Sequence, residues 1–344
     1  MNPAKLRETA LALVADDKGL LAMDESTPTA NKRFAAAGIP ENEEARRAYR
    51  DLIVSTVGLR ECLNGAILVD ETIRQQTRNG ISFPKALEQQ NILPGIKVDA
   101  GAKPMAAHPA EKLTSGLDGL RERLAEYAQL GARFAKWRAV ITIGDRIPSL
   151  GCIEANGLLL ALYAALCQEA GLVPIVEPEV LMDGDHDLAR CADVTETTLH
   201  AVFQQLVSQR VLLEGMILKP NMVVPGQKAE RQSSDSEIAE ATVHTLLRTV
   251  PAAVPGIAFL SGGQSGEQAC ARLSAMNSSY RGRLPWALTY SFARAIQQPA
   301  MDIWRGEDAN VPAAQKALLH RARCARAARQ GQYTAAMENS QESR

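Results

Sequence analysis

Short apolar, β-branched runs recur along the chain and alternate with segments whose apolar residues fall three and four apart. The runs lie at Gly19–Glu25, Gly65–Asp70, Gly95–Asp99, Phe134–Val140, Val173–Val180, Gly215–Met222, Gly256–Gly263 and Trp286–Phe292. Each is short enough for a strand buried on both faces. Between them, Leu117, Leu120, Leu124, Tyr127 and Ala128 share one helical face, and Gly131 follows as a helix-ending residue. Ile153–Ala170 repeats the pattern and stops at Gly171. Strands separated by helices must pair in parallel through right-handed crossovers. Eight such units without a break in composition predict an α/β fold, a single-domain (β/α)8 TIM barrel spanning 1–333. The remainder, 334–344, is small, polar and without apolar period, and is expected to be a flexible tail.

Composition narrows the classes of function. The chain has 344 residues, with 38 basic and 39 acidic side chains and a net charge of −1. No global field favours nucleic acid or a membrane surface, so any anion site must be local. No apolar run approaches the roughly 20 residues that span a bilayer, and the N-terminal stretch carries acids and helical periodicity in place of a signal-peptide pattern. A soluble cytoplasmic protein is expected. The six cysteines are widely scattered with no CxxC pair, and they read as reduced core residues.

Charges interrupt the apolar runs where a barrel keeps its chemistry, at the carboxyl ends of the strands. Asp24 ends the first run, Lys97 sits in the third, Lys136 and Arg138 in the fourth, Glu177 and Glu179 in the fifth and Lys219 in the sixth. A single lysine there is ordinarily a solvated rim residue. With a period of two, however, Lys136 and Arg138 share a face, as do Glu177 and Glu179. If those faces point inward, cations and carboxylates converge at one mouth, where burial demands mutual pairing or an anionic ligand. After the seventh run, Leu260–Gly266 reads LSGGQSG, whose small residues admit an oxyanion to backbone N–H groups. Arg294, just past the eighth run, supplies a bidentate partner. A phosphate cradle, several lysines and paired glutamates suit carbonyl chemistry on a phosphorylated sugar, with a lysine Schiff base as the electron sink and no metal required.

The segments MDEST, GIKVD, FAKWR, VPIVEPE, DGDHDL, LLEGMILKPNMVVPG, FLSGGQS and PWALTYSFARA resemble, in order and over nearly the whole chain, class I fructose-bisphosphate aldolase. The resemblance implies reversible aldol cleavage of fructose 1,6-bisphosphate to dihydroxyacetone phosphate and glyceraldehyde 3-phosphate, in glycolysis and gluconeogenesis. It implies that Lys219 forms the Schiff base and that Glu177 transfers the protons of carbinolamine dehydration. Glu179 would position the lysines, and Asp24 would take the C4-hydroxyl proton. Lys136 and Arg138 would hold charge near the reacting carbons, and Lys97 would contact substrate. Ser261, Gly262 and Arg294 match the family's phosphate-binding positions, and Lys32 and Arg33 match the pair that receives the second phosphate. No cofactor and no metal are implied, and a homotetramer is.

Three positions depart from the family's pattern. Pro28 stands in a loop that is commonly glycine-containing, Ala293 precedes Arg294 where many members have glycine, and the last tyrosine is Tyr333. A metal-dependent aldolase would need histidines, of which there are His108, His186, His200, His244 and His320. Only His186 sits among acids, in DGDHDL, with no second histidine nearby; a solvated loop with a helix-capping aspartate is the preferred reading there.

Overall fold

The structure, a computed structural model, describes residues 2–339. Eight parallel strands close into a barrel: β1 Gly19–Ala22, β2 Leu63–Leu68, β3 Leu93–Lys97, β4 Phe134–Ile141, β5 Val173–Val180, β6 Ile217–Leu218, β7 Gly256–Phe259 and β8 Ala287–Phe292. Each pairs with its neighbours in sequence, and β8 returns to β1. This is the (β/α)8 barrel expected from the alternating pattern, with helices outside it.

Strand ends differ from the apolar runs for identifiable reasons. The run Gly215–Met222 yields only the two-residue β6, because Pro220 has no N–H to continue the ladder. Lys219 still donates its N–H to Val176 O at 2.8 Å, and Pro220 O accepts from Leu260 N at 3.2 Å, so the chain leaves the sheet while still tied to both neighbours. Two predicted helix stops hold. Helix Leu120–Gln129 is followed by Gly131 at φ +108°, and helix Leu150–Glu169 by Gly171 at φ +77°, where glycine avoids the steric cost of a left-handed residue.

The amino end of the barrel is sealed by helix Pro3–Leu13, whose first turn is capped by the Asn2 side chain. Leu6, Ala10, Leu13 and Val14 pack against the inward residues Leu20, Ile67, Phe134, Ile175 and Ile217 in one buried cluster. Two glycines make room for that layer. A Cβ on Gly95 would stand 2.2 Å from the Phe134 ring, and one on Gly256 would stand 2.6 Å from Val14. Outward strand residues pack beneath the helices in a second, larger cluster that includes Trp137, Val176 and Tyr290.

Three expectations are corrected, and one element is new. Helix Leu150–Glu169 is long and apolar enough, with mean hydropathy 1.7 over 18 residues, to cross a membrane by length and composition alone. Half of that window is buried, and the helix puts its own Leu160, Ala161, Tyr163, Ala164 and Cys167 into the core. Pro28 lies in the first turn of helix Thr27–Ala37, where a missing N–H breaks no helical bond, and so does not stiffen a loop. The segment expected to be a flexible tail, 334–344, forms a 3-10 turn over Ala335–Asn339, held by Glu338 to the Arg321 guanidinium and to Tyr333 OH at 2.7 Å; the rest lies outside the described residues. A short antiparallel hairpin, Ala102–Pro104 with Lys112–Thr114, was not foreseen.

Candidate active site

The charged residues read from the strand ends meet at the carboxyl mouth. Strand register accounts for this: Lys97 pairs with Lys136, and Arg138 with Glu177, so alternate residues of β3, β4 and β5 stack on the inner face. Asp24, two residues past β1, reaches the same layer.

At its centre, Lys136 Nζ lies 2.7 Å from Asp24 Oδ2 and 2.9 Å from Glu177 Oε2. Lys219 Nζ lies 3.2 Å from the other Glu177 oxygen, Oε1. All four side chains are buried. Glu177 Oε2 is buried and makes no hydrogen bond within the geometric limits, so its contact with Lys136 is chiefly coulombic. Burial opposes ionisation of Asp24, but Lys136, then Lys219 and Lys97, outweigh it and hold the carboxyl at about 2. Glu177 is lowered in the same way: burial pushes up, and Lys136, Lys219 and Arg138 pull down harder. For Lys136, burial disfavours the ammonium, yet Asp24 and Glu177 raise its affinity for the proton overall.

The outer ring is also paired. Glu179 holds the Arg138 guanidinium, so the lysine-positioning role implied for Glu179 has no counterpart in its contacts here. Lys97 Nζ is clamped by Asp99, at 2.6 Å to Oδ1 and 3.0 Å to the carbonyl oxygen. Asp99 also accepts from the backbone N–H groups of Gly101 and Arg138, tying the ends of β3 and β4 together. A cavity of about 780 Å³ opens above these groups, lined among others by Asp24, Lys97, Asp99, Lys136 and Arg138.

On the far side, Ser261 and Gly262 form the turn after β7, and Arg294 opens the helix after β8. Arg294 Nη2 donates to Gly262 O at 2.7 Å, so the three expected phosphate residues do come together. Gly262 sits at φ +53°, and a Cβ on it would lie 3.7 Å from Glu179 Oε1. Ala293 is the N-cap of the helix that Arg294 opens, with φ −105° and ψ −92°.

Lys32 and Arg33 are not brought to the mouth as a pair. Neighbours in a helix project about 100° apart; Lys32 faces solvent, while Arg33 turns to Glu25 and to Gln298 Oε1 at 3.1 Å. Glu25 also binds Arg50 at 2.8 Å and accepts from Gln297 Nε2 at 3.1 Å. Sequence reasoning assigned nothing to Glu25, Arg50 or Asp99. The only signal was an acid beside a strand-end acid or lysine in MDEST and GIKVD.

The loop carrying His186 meets the expectation in part: Asp187 caps helix Leu188–Ser208 by accepting from Arg190 N at 2.8 Å, but His186 itself is buried, with neither ring nitrogen hydrogen-bonded among the described residues. Among the described residues, the side chains grouped closely enough to hold a metal are His320, Cys324 and Glu338, outside this cavity, with Glu338 already ion-paired to Arg321.

Residues 5–344 match the family model described as fructose-bisphosphate aldolase class-I. The chain belongs to this family. It is 55% identical over 324 residues to a probable fructose-bisphosphate aldolase class 1 from Xanthomonas campestris pv. campestris, covering 94% of this chain and 96% of that one. It is 48% identical over 330 residues to fructose-bisphosphate aldolase C from Rattus norvegicus, covering 96% and 91%. A fructose-bisphosphate aldolase from Plasmodium falciparum, solved with TRAP and a small-molecule inhibitor, superposes with a TM-score of 0.95 at 45% identity, over 97% of this chain and 96% of that one. The class I aldolase reaction is the reversible, metal-independent cleavage of fructose 1,6-bisphosphate to two triose phosphates in glycolysis, a carbon–carbon lyase reaction running through a lysine Schiff base.

Proposed function

We propose that Lys219 is the Schiff-base nucleophile of this aldolase and that Asp24, Lys136 and Glu177 are its proton-handling partners. The observation that carries this reading is Glu177 spanning the two buried amines, one oxygen toward Lys219 and the other toward Lys136. After Lys219 attacks the ketose carbonyl, Glu177 is placed to take the nitrogen's proton and return it to the carbinolamine hydroxyl, which leaves as water. The resulting iminium draws electrons from the adjacent carbon–carbon bond. Asp24, ionised beside Lys136, accepts the C4-hydroxyl proton as that bond breaks; the aldehyde departs and the enamine stays on Lys219. Lys136 stabilises negative charge through this sequence, and Glu179 fixes Arg138 at the rim.

The phosphate next to the ketone carbon is assigned to Ser261, Gly262 and Arg294. The second phosphate is assigned to Lys32 and Arg33, and reaching Arg33 means drawing it from Glu25. Lys97, clamped by Asp99, contacts the sugar. One barrel domain over 1–333, a homotetramer and a cytoplasmic location complete the reading. The location is supported by six free, buried thiols, which suit a reducing compartment.

Borohydride reduction in the presence of dihydroxyacetone phosphate, followed by peptide mass mapping, tests the assignment. The substrate-derived mass is expected on Lys219. A label carried only by another lysine overturns it.

A further inference from the structure

The turn after β7 is gripped from beneath by Arg272, a residue of helix Gly266–Tyr280 that lies outside the mouth cavity. Arg272 is only 6% exposed. Its Nη1 donates to Gln264 Oε1 at 2.8 Å, and its Nε donates to Asp235 Oδ1 at 3.3 Å. Gln264 then gives two hydrogen bonds to one acceptor: its Nε2 lies 3.1 Å from Ser261 O, and its backbone N lies 3.0 Å from the same oxygen.

Two donors on that carbonyl fix the peptide plane between Ser261 and Gly262. In a trans peptide the C=O and the following N–H point in opposite directions, so the Gly262 N–H is aimed away from Gln264. Glu179 borders Gly262 at the barrel mouth, within 3.7 Å of where a Cβ would stand. Among the described residues, neither the Gly262 nor the Gly263 N–H donates to a protein acceptor. A glutamine side chain is long and free to rotate, and Arg272 is what holds its amide in place. Burying a guanidinium against one half-exposed carboxylate is costly, and burial pushes its proton affinity down.

We propose that Arg272 is a positioning residue for substrate phosphate: through Gln264 it holds the Ser261–Gly262 peptide with its N–H turned toward the ketose phosphate. The proposal rests on the assignment of Ser261, Gly262 and Arg294 as phosphate ligands.

The test measures kcat and KM for fructose 1,6-bisphosphate, and Ki for inorganic phosphate as competitor, in the wild type, Arg272→Met, Arg272→Lys, Gln264→Leu, the Met/Leu double variant and Arg294→Ala. Loss of one aligned donor at the phosphate predicts a rise of about ten-fold in KM and in Ki for Arg272→Met, with kcat within about three-fold. In the Gln264→Leu background, Arg272→Met is expected to add nothing further, since both act through one amide. Arg272→Lys keeps the charge without the planar fork and falls between. If Arg272→Met does not fold, the lysine variant carries the same comparison. A raised Ki in Arg294→Ala together with unchanged KM and Ki in Arg272→Met or Arg272→Lys overturns the positioning role and leaves the phosphate assignment standing. An unchanged Ki in Arg294→Ala removes the phosphate assignment, and the proposal with it.

Discussion

At the scale of single residues, Asp24, Lys136 and Glu177 form a chain of alternating charges in which each stays ionised because of its neighbours. Lys136 is the hinge of that chain, because its ammonium touches both Asp24 and Glu177. Replacing it with methionine keeps the volume but leaves two buried carboxylates facing each other without that cation between them, a situation that raises carboxyl pKa values. Turnover is therefore expected to fall by about 10²-fold or more in a folded Lys136→Met variant. Steady-state kinetics on fructose 1,6-bisphosphate would detect this, and a kcat within about two-fold of wild type would remove Lys136 from the mechanism. Asp24 makes a separate, thermodynamic prediction. Its carboxyl is held at about 2 when folded, against about 3.9 in an unfolded chain. A depressed value stabilises the folded state fully above about pH 5, and the gain is lost as pH falls through about 2, a swing of roughly 2–3 kcal/mol. Urea titrations across that window should show Asp24→Asn losing this part of the pH dependence; parallel curves for the two proteins would contradict it.

At the scale of elements, the strands place the chemistry and their irregularities make it reachable. β6 contributes two ladder residues and then stops, so the Lys219 side chain emerges where the proline breaks the pairing. The tripeptide Leu218-Lys219-Pro220 is enough to read that consequence, since a proline cannot donate to the ladder. Helix Pro3–Leu13 was legible as a periodic segment, but its place across the barrel floor was not. Leu6 is 1% exposed and belongs to the floor cluster with Leu20, Ile67 and Ile217. Leu6→Ala is expected to cost about 2–5 kcal/mol of stability through the cavity it leaves, with KM unchanged because the floor and the mouth are at opposite ends. Denaturant unfolding beside kinetics checks both halves of that statement. The 102–114 hairpin escaped sequence reading because its strands are three residues long and carry no apolar alternation.

At the scale of the whole molecule, the sequence made the barrel legible because burial on both faces leaves unbroken apolar runs, and a charge inside such a run stands out. Asp24, Lys136, Glu177 and Lys219 were visible for that reason, and they are in contact in the structure. Glu25, Asp99 and Arg272 were not, because their meaning lies in partners distant in sequence or across a turn: Glu25 meets Gln297, and Arg272 meets Asp235. Lys32 and Arg33 stood together in sequence, yet helical phase turned them apart. The sealed floor has a further consequence for traffic. With Leu6, Leu13 and Phe134 closing the amino end, the barrel is a vessel with one neck, and everything that enters must leave the way it came. The aldehyde released on cleavage has to exit past the rim while its former partner remains tethered below it. The water that later frees that partner must come down the same neck, so departure of the first product clears the path for release of the second.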